Sequence, residues 1–205
     1  MKNNCAIILA GGKGERFGKQ KQFIRFIDKP LYQHVYEKAN NILPKDNIVV
    51  VGVDIEGGIT RSFSIINGLK FFINKNQEFK KVIILEAARP LVTEEQIKTL
   101  LLDKNKSSTF VLPLVNTVIK RDGTYLNRDD LYDLLTPQAF DFKLLCEAYN
   151  GEKFWNYTDE TRLIFEKYNI KPTFINGGQN LIKLTYLKDL PILEQLFYMQ
   201  KEGKI

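Results

Sequence analysis

The stretch CAIILAGGKGERFG, residues 5–18, joins a short apolar run to a loop that is rich in glycine. An apolar run of this length predicts a buried strand. Glycines in the loop let the backbone approach a ligand closely and present several N–H groups to an anion. Because ligands of α/β proteins bind beyond the carboxyl ends of parallel strands, the stretch predicts an anion-binding loop at that edge of a parallel sheet.

The spacing within the loop separates it from two common phosphate-binding motifs. A P-loop has Ser or Thr directly after its Gly-Lys pair, whereas Gln20 follows Gly18 and Lys19. Phe17 occupies the place of the third glycine or alanine in the dinucleotide fingerprint. The loop therefore indicates neither a P-loop enzyme nor a nicotinamide oxidoreductase.

Three cations accompany the glycine loop. Lys13 and Arg16 lie inside it, and Lys21 lies just beyond it. An arginine can bridge two phosphate oxygens, while a lysine acts as a point charge. Positive side chains beside backbone donors suit a triphosphate; the alternative interpretation is a tight turn whose cations are solvated.

Strand-like runs alternate with helical patterns along the chain, which predicts an α/β fold with a Rossmann-like, mostly parallel sheet flanked by helices. The predicted strands are residues 5–9, 47–53, 81–85, 109–115, 172–175 and 181–184. One predicted helix begins at Pro30 and has Leu31, Val35, Ala39 and Ile42 on one face. A second carries Phe63, Ile66, Leu69 and Ile73, and a third follows a capping box of Thr93 and Gln96. Three more occupy residues 141–149, 159–168 and 190–201.

The composition is that of a globular protein, and we expect one domain over residues 1–205. Its apolar runs are far shorter than the ~20 residues that span a bilayer, and no signal peptide is recognisable. We therefore expect a cytoplasmic protein whose two cysteines, Cys5 and Cys146, stay reduced. The net charge is +6, but no dense basic run occurs, so neither a nucleic acid nor a membrane is an expected partner.

A hairpin interrupts the alternation in the second half of the chain. Residues 117–120 and 124–127 have strand-like patterns, and the turn between them contains Asp122 and Gly123. A hairpin inserted in an α/β domain projects outward, so residues 116–135 are predicted to form an arm that makes dimer contacts.

Several segments, in order along nearly the whole chain, give the sequence a specific resemblance. They are AIILAGGKGERFG at residues 6–18 with KQF at 21–23, Gly57-Gly58 with Arg61, Ser64 and Gly68-Leu69, EAARP at 86–90, Arg128 with Leu131, TPQAF at 136–140, TDE at 158–160 and IKLT at 182–185. The chain resembles the methylerythritol-phosphate cytidylyltransferases (4-diphosphocytidyl-2C-methyl-D-erythritol synthases). The ribitol-5-phosphate cytidylyltransferases are near relatives of that family.

The resemblance implies that an acceptor phosphate attacks the α-phosphate of CTP in line and that pyrophosphate leaves. It implies catalytic roles for Arg16, Lys21 and Lys183. The nucleotide-binding residues that it implies are Ala10, Gly11, Gly12, Lys13, Gly14, Gly58, Arg61, Ser64 and Ala87. Among these, Gly58 and Ser64 are expected to read the cytosine edge.

The metal and acceptor sites also follow from the resemblance. Glu86 stands where the family usually has an Asp that binds Mg²⁺ or another divalent cation. Thr136, Thr158 and Lys183 are expected to bind the acceptor, with Thr158 reaching a neighbouring subunit of a homodimer. Thr158 is also a candidate N-cap for the helix that follows it.

The chain departs from the family pattern in three places. Glu86 is one methylene longer than Asp, residues 140–157 contain no arginine where the family has one for the acceptor phosphate, and residues 54–56 replace a helix and a strand. Methylerythritol 4-phosphate remains the favoured acceptor. Ribitol 5-phosphate or another polyol phosphate, and a non-catalytic nucleotide-binding protein of the same fold, are the alternatives. His34, the only histidine, is interpreted as structural.

Overall fold

A six-stranded sheet in the order β10-β6-β9-β5-β1-β4 forms the centre of the molecule. The computed structural model describes residues 1–12, 14, 17–18, 20–150 and 157–205. The strands are β1 (Asn4–Leu9), β2 (Arg25–Phe26), β3 (Lys29–Pro30), β4 (Ile48–Val51), β5 (Lys81–Glu86), β6 (Ser107–Pro113), β7 (Val118–Ile119), β8 (Tyr125–Leu126), β9 (Tyr132–Asp141) and β10 (Thr173–Asn176). The helices are α1 (Leu31–Asn40), α2 (Arg61–Ile73), α3 (Glu94–Leu102), α4 (Phe142–Ala148), α5 (Glu160–Tyr168) and α6 (Leu190–Lys201).

The sheet is mostly parallel, as the alternation of strands and helices predicts. β1 pairs in parallel with β4 and β5, and β10 pairs in parallel with β6. β9 lies between β5 and β6 and runs antiparallel to both. Continuous apolar runs such as that of β1 are buried on both faces because helices cover both sides of the sheet.

Strand β9 is the main element that the sequence analysis did not predict. Its polar residues and Pro137 argue against a central strand, since proline cannot donate to a ladder. The structure accommodates the proline in an irregularity: Thr109 pairs with Gln138, but the next residue, Phe110, pairs with Leu135. Thr136 and Pro137 are therefore extra residues that the ladder does not need.

Side-chain alternation along the strands divides the core between the two faces of the sheet. Ile7, Val82 and Ile84 belong to a cluster with α2, α4 and α5, whereas Ile8 and Ile83 belong to a cluster with α1 and α3. A third cluster lies beside the first crossover. Its buried members are Phe17, Phe26, Leu31, Leu91, Leu184 and Leu193.

The helix predicted to carry Phe63, Ile66, Leu69 and Ile73 is α2. It buries Ile65, Gly68, Leu69 and Phe72, whereas Ile73 is 55% exposed. Gly68 lets the helix approach Ile7 of β1, where a Cβ atom would meet Ile7 at 2.8 Å.

The strand predicted over residues 181–184 is wrong. Leu181 ends a 3-10 turn, Gln179–Leu181, and Leu184 is buried in the third cluster with Ile182 packed against it.

Other local predictions are confirmed. Thr93 and Gln96 form the capping box of α3, and α6 spans the predicted residues. β7 and β8 form the predicted antiparallel hairpin, with Gly123 at a positive φ of 88° in its turn. Residues 132–135, the predicted end of the arm, instead pair with β6 in the main sheet.

The short connection after β4 closes the edge of the sheet without another strand. The Asp54 carboxylate accepts a hydrogen bond from Val50 N at 2.8 Å, and Gly52 N donates to Ile55 O at 2.7 Å. Both cysteines are free thiols. In the described part of the chain, no helix is both long enough and apolar enough to cross a membrane.

Candidate functional site

A crevice of about 610 Å³ opens beyond the carboxyl ends of β1 and β5. This is the edge at which the glycine loop was predicted to bind an anion. Its lining residues are Leu9, Ala10, Gly11, Gly12, Gly14, Phe17, Lys21, Gln22, Gly58, Ile59, Thr60, Arg61, Ser64, Glu86, Ala87, Ala88, Lys183 and Thr185. The crevice thus gathers every described residue that was predicted to bind nucleotide, metal or the reacting phosphate. Lys13 and Arg16 lie outside the described residues.

Close packing of three glycines shapes one wall of the crevice. A Cβ atom on Gly11 would lie 2.9 Å from Gly57 Cα, and one on Gly52 would lie 2.5 Å from Gly11 Cα. Gly52 also has a φ of +98°, a conformation that glycine adopts readily. These contacts bring the loop before α2 against the glycine loop. The sequence analysis did not single out Gly52, although its position directly after the apolar run of β4 was a signal.

The loop before α2 is held by its own hydrogen bonds. Thr60 caps the helix by accepting a hydrogen bond from Phe63 N. Ser64 Oγ accepts a hydrogen bond from Gly58 N at 3.0 Å and donates to Thr60 O at 3.2 Å. A Cβ atom on Gly58 would lie 2.2 Å from that of Phe63, so only glycine fits there. Gly58 and Ser64, the predicted cytosine readers, therefore form one ordered wall.

Two lysines reach the crevice from different segments. Lys21 Nζ donates to Leu184 O at 2.8 Å, which ties the glycine loop to the segment before α6. Lys183, one residue earlier, forms an ion pair with the Glu86 carboxylate at the end of β5. The chain therefore brings together cations that are 162 positions apart in sequence, since 183 minus 21 is 162.

Glu86 lies in a strongly positive environment. One of its oxygens accepts from Arg61 Nη1 at 2.5 Å and the other pairs with Lys183. Burial alone would raise its pKa, but the charges of Arg61 and Lys183 outweigh burial and lower the pKa to about 2. The side chain therefore carries its negative charge throughout the physiological pH range.

Arg61 uses its guanidinium to bridge two carboxylates. Its Nη2 donates at 2.8 Å to Glu160, whose side chain is fully buried. Burial would lower the pKa of Arg61, but Glu160 and Glu86 outweigh that effect and raise it. Arg61 lines the crevice, and its Nη1 and Nη2 atoms bind the carboxylates of Glu86 at the end of β5 and Glu160 in α5.

Neither of the two threonines predicted to bind the acceptor is among the residues that line this crevice. Thr136 is 5% exposed, and its hydroxyl accepts a hydrogen bond from Arg89 Nε at 2.8 Å. Thr158 is exposed, and the N-cap of α5 is the next residue, Asp159, so the interpretation of Thr158 as the cap is wrong. Asp159 takes that place because its carboxylate reaches two N–H groups in the first turn of the helix.

The donor set around Glu86 determines what kind of metal site fits. Among the described residues that line the crevice, Glu86 supplies the one carboxylate. Within the described ranges, no three His, Cys, Asp or Glu side chains form a group that could hold a metal ion. Mg²⁺ typically takes one or two carboxylates and completes its shell with substrate phosphates and water. The residues therefore fit an ion that is shared with a bound nucleotide.

His34 has a structural place, as interpreted from the sequence. Its ring is 4% exposed, and its Nε2 lies 2.8 Å from Phe26 O. Burial lowers its pKa, which favours the neutral ring at physiological pH. Its ring also packs edge-on against Phe26 and Phe197. His34 therefore stabilises the third apolar cluster and does not line the crevice.

Comparison with known proteins gives a consistent result. The family model of 2-C-methyl-D-erythritol 4-phosphate cytidylyltransferase matches residues 36–201. The enzyme of that name from Alkaliphilus oremlandii is 31% identical over 97% of this chain and 96% of its own length. The 4-diphosphocytidyl-2C-methyl-D-erythritol synthase structure from Anaerococcus prevotii is similar with a TM-score of 0.77 and 25% identity, covering 96% of each chain.

A bifunctional relative has the same fold in part of its length. The structure of the bifunctional IspDF from Campylobacter jejuni is similar with a TM-score of 0.80 and 28% identity, covering 94% of this chain and 54% of that one. The family match over most of the chain, together with a relative that is similar from end to end, shows that the chain belongs to the 2-C-methyl-D-erythritol 4-phosphate cytidylyltransferase family.

Proposed function

We propose that the protein transfers the cytidylyl group of CTP to 2-C-methyl-D-erythritol 4-phosphate and releases pyrophosphate. The observation that carries this proposal is the crevice itself, where the glycine backbone, Lys21, Lys183 and the Glu86 carboxylate converge beyond β1 and β5. Membership of the family supports the choice of nucleotide and acceptor, because the relatives' names state that activity. The activity belongs to the synthesis of isoprenoid precursors.

The chemistry requires positioning and charge neutralisation rather than a protein nucleophile. An acceptor phosphate attacks the α-phosphate in line, and negative charge spreads over the oxygens of both reacting groups. We assign Lys21 to the α-phosphate and Lys183 to the acceptor phosphate. The N–H groups of Gly12 and Gly14 are assigned to the β- and γ-phosphates. Lys13 and Arg16 remain predicted participants from the same loop.

Glu86 is the residue that would hold Mg²⁺ or another divalent cation. Such an ion neutralises phosphate charge when it is bound. Arg61 holds one Glu86 oxygen, and the other faces Lys183 in the crevice. The geometry supports exchange of Lys183 for the ion at that second oxygen, which leaves the ammonium group available to a phosphate.

The proposal also includes a homodimer in which one subunit helps to bind the acceptor of the other. We assign Thr158 to the acceptor bound by a neighbouring subunit, which its exposure permits. The hairpin of β7 and β8 presents exposed apolar side chains, of which Ile119 is 52% and Tyr125 is 72% exposed. Burying such side chains would stabilise a homodimer. We also propose a cytoplasmic location, which two free thiols support.

An acceptor panel tests the proposal. Purified protein is incubated with CTP, Mg²⁺ and one polyol phosphate, and the products are followed by phosphorus NMR. We expect pyrophosphate and a cytidine diphosphate ester with 2-C-methyl-D-erythritol 4-phosphate, and no comparable product with ribitol 5-phosphate. Faster turnover of ribitol 5-phosphate would show that ribitol 5-phosphate, and not 2-C-methyl-D-erythritol 4-phosphate, is the acceptor. CTP binding without turnover of any acceptor would indicate a non-catalytic nucleotide-binding protein.

A further inference from the structure

Glu160 is a fully buried carboxylate that none of the roles above uses. It lies in the first turn of α5, directly after the segment that carries Thr158. Its Oε2 accepts from Arg61 Nη2 at 2.8 Å, and its Oε1 accepts from Tyr149 OH at 3.1 Å. Burial raises its pKa, and Arg61 offsets this only in part. A carboxylate in such a place is costly unless its partners compensate it, so its contacts need an explanation.

The contacts of Glu160 form one end of a chain of alternating charges. Glu160 binds Arg61, Arg61 binds Glu86, and Glu86 binds Lys183. Glu160 at one end of the chain is 0% exposed and Lys183 at the other end is 36% exposed, with Arg61 and Glu86 at 20% and 10% between them. Glu160 therefore lies inside the protein, while Lys183 at the other end of the chain lies in the crevice.

The ion pair between Arg61 and Glu160 connects helices α2 and α5. Arg61 is the first residue of α2, and the neighbouring Ser62 donates through Oγ to Tyr157 O at 3.2 Å. The N-terminus of α2 is thus bound to the N-terminus of α5 at two adjacent points. A planar guanidinium donates to two carboxylates in fixed directions, which a lysine ammonium at the same place would not reproduce.

We propose that Glu160 is a positioning residue: through Arg61 it fixes the Glu86 carboxylate and, through Glu86, the place of Lys183 in the crevice. Glu160 is not among the residues that line the crevice. It determines which way one Glu86 oxygen faces, and leaves the second oxygen for Lys183 or a divalent cation. The inference rests on the proposed function for its kinetic readout only.

A double-mutant cycle tests the proposal. Glu160→Gln is made in the wild type and in Lys183→Ala, and kcat and KM for CTP are measured in all four proteins. We expect Glu160→Gln to lower kcat about tenfold in the wild type, because Lys183 is then less precisely placed for the acceptor phosphate, with little change in KM for CTP. Because Glu160 acts through Lys183, the same change should cost less than about twofold in the Lys183→Ala background.

Two further variants make the result interpretable. Arg61→Lys keeps the charge opposite Glu160 but removes the bridge, so it should show the same loss of kcat even if Glu160→Gln fails to fold. Glu147→Gln, at an exposed position on α4, is the matched control and should leave kcat unchanged. An equal loss from Glu160→Gln in both backgrounds, or full kcat in Arg61→Lys, would overturn the proposal.

A chemical readout separates this proposal from the proposed function. Acetylation of Lys183 by acetic anhydride is measured by mass spectrometry in the wild type, Glu160→Gln and Arg61→Lys, with the exposed Lys98 as the internal reference. Loosening Glu86 should increase the acetylation of Lys183 relative to Lys98 in both variants. An unchanged ratio contradicts the positioning role, and the result does not depend on whether the wild type turns over any acceptor.

Discussion

At the scale of single residues, neighbouring positive charges determine the ionisation of Glu86 in the crevice. Glu86 is compensated by both Arg61 and Lys183, which explains why a carboxylate that is 10% exposed remains ionised. The network also supports the proposal that Glu86 serves as the carboxylate of the metal site. The Glu86 side chain reaches two cations from the end of β5 while one oxygen still faces the crevice.

We expect Glu86→Gln to lower stability in a pH-dependent way. The pKa of Glu86 is lowered from 4.5 to about 2, so its ionised form stabilises the fold fully above about pH 4.5, and this contribution is lost as the pH falls through 2. The shift corresponds to roughly 3 kcal/mol. Urea unfolding should therefore show a deficit of up to that size at pH 7 that narrows toward pH 2; a deficit that does not vary with pH contradicts the ion-pair account.

The same substitution should raise the Mg²⁺ concentration needed for half-maximal turnover, because it removes the carboxylate that the described part of the chain contributes to the crevice. Rates are measured across a Mg²⁺ titration with CTP held constant. An unchanged Mg²⁺ requirement would show that another group holds the ion.

Lys21→Ala should abolish most turnover while the protein stays folded. Removing one charged donor from a developing anionic transition state commonly costs about 10²–10³ in kcat. Lys98→Ala, an exposed lysine on α3, serves as the control. Thermal unfolding and steady-state rates are measured on both variants, and near wild-type activity in Lys21→Ala would remove Lys21 from the site.

The sequence predicts which residues line the crevice better than it predicts their contacts. Resemblance singles out Lys21, Glu86 and Lys183, because each lies in a short motif of its own, and all three line the crevice. It does not reveal that Arg61 bridges Glu86 to Glu160, because a bridge between β5, α2 and α5 depends on tertiary packing. Thr136 looks like a ligand in sequence, but it is buried beneath Arg89.

At the scale of elements, the loops are placed by close backbone packing. Gly52, after β4, lies against Gly11 and holds the turn that replaces the family's additional strand. The sequence predicts the parallel strands and most helices, since their patterns are regular. It fails at β9, where polar residues and Pro137 hide a strand, and at residues 181–184, where a short apolar pattern forms no strand.

Gly52→Ala and Gly123→Ala together test the packing role of the first glycine. Both residues have a positive φ, but only Gly52 is in contact: an added Cβ would lie 2.5 Å from Gly11 Cα, whereas Gly123 has open space. The left-handed conformation alone costs about 1–2 kcal/mol, and overpacking adds about 1–3. Chemical unfolding should show the larger loss for Gly52→Ala, with weaker CTP binding; equal losses would contradict the packing argument.

At the scale of the whole molecule, the arm determines the expected assembly. Tyr125→Asp places a charge on the exposed side of the β7–β8 hairpin, and we expect it to shift a homodimer toward monomer. Ile192→Asp, at an exposed position on α6, is the control. Light scattering after gel filtration gives the mass of each variant. A wild-type monomer, or a dimer that Tyr125→Asp leaves intact, would remove the arm from the interface.

The crevice accounts for the function only if it holds the triphosphate of CTP. A crystal structure of the protein with CTP and Mg²⁺ measures this directly. The predicted result has the triphosphate over the N–H groups of Gly11, Gly12 and Gly14, with Lys21 beside the α-phosphate. A nucleotide bound elsewhere, such as in the second cavity lined by Tyr36 and Phe71, would contradict the assignment.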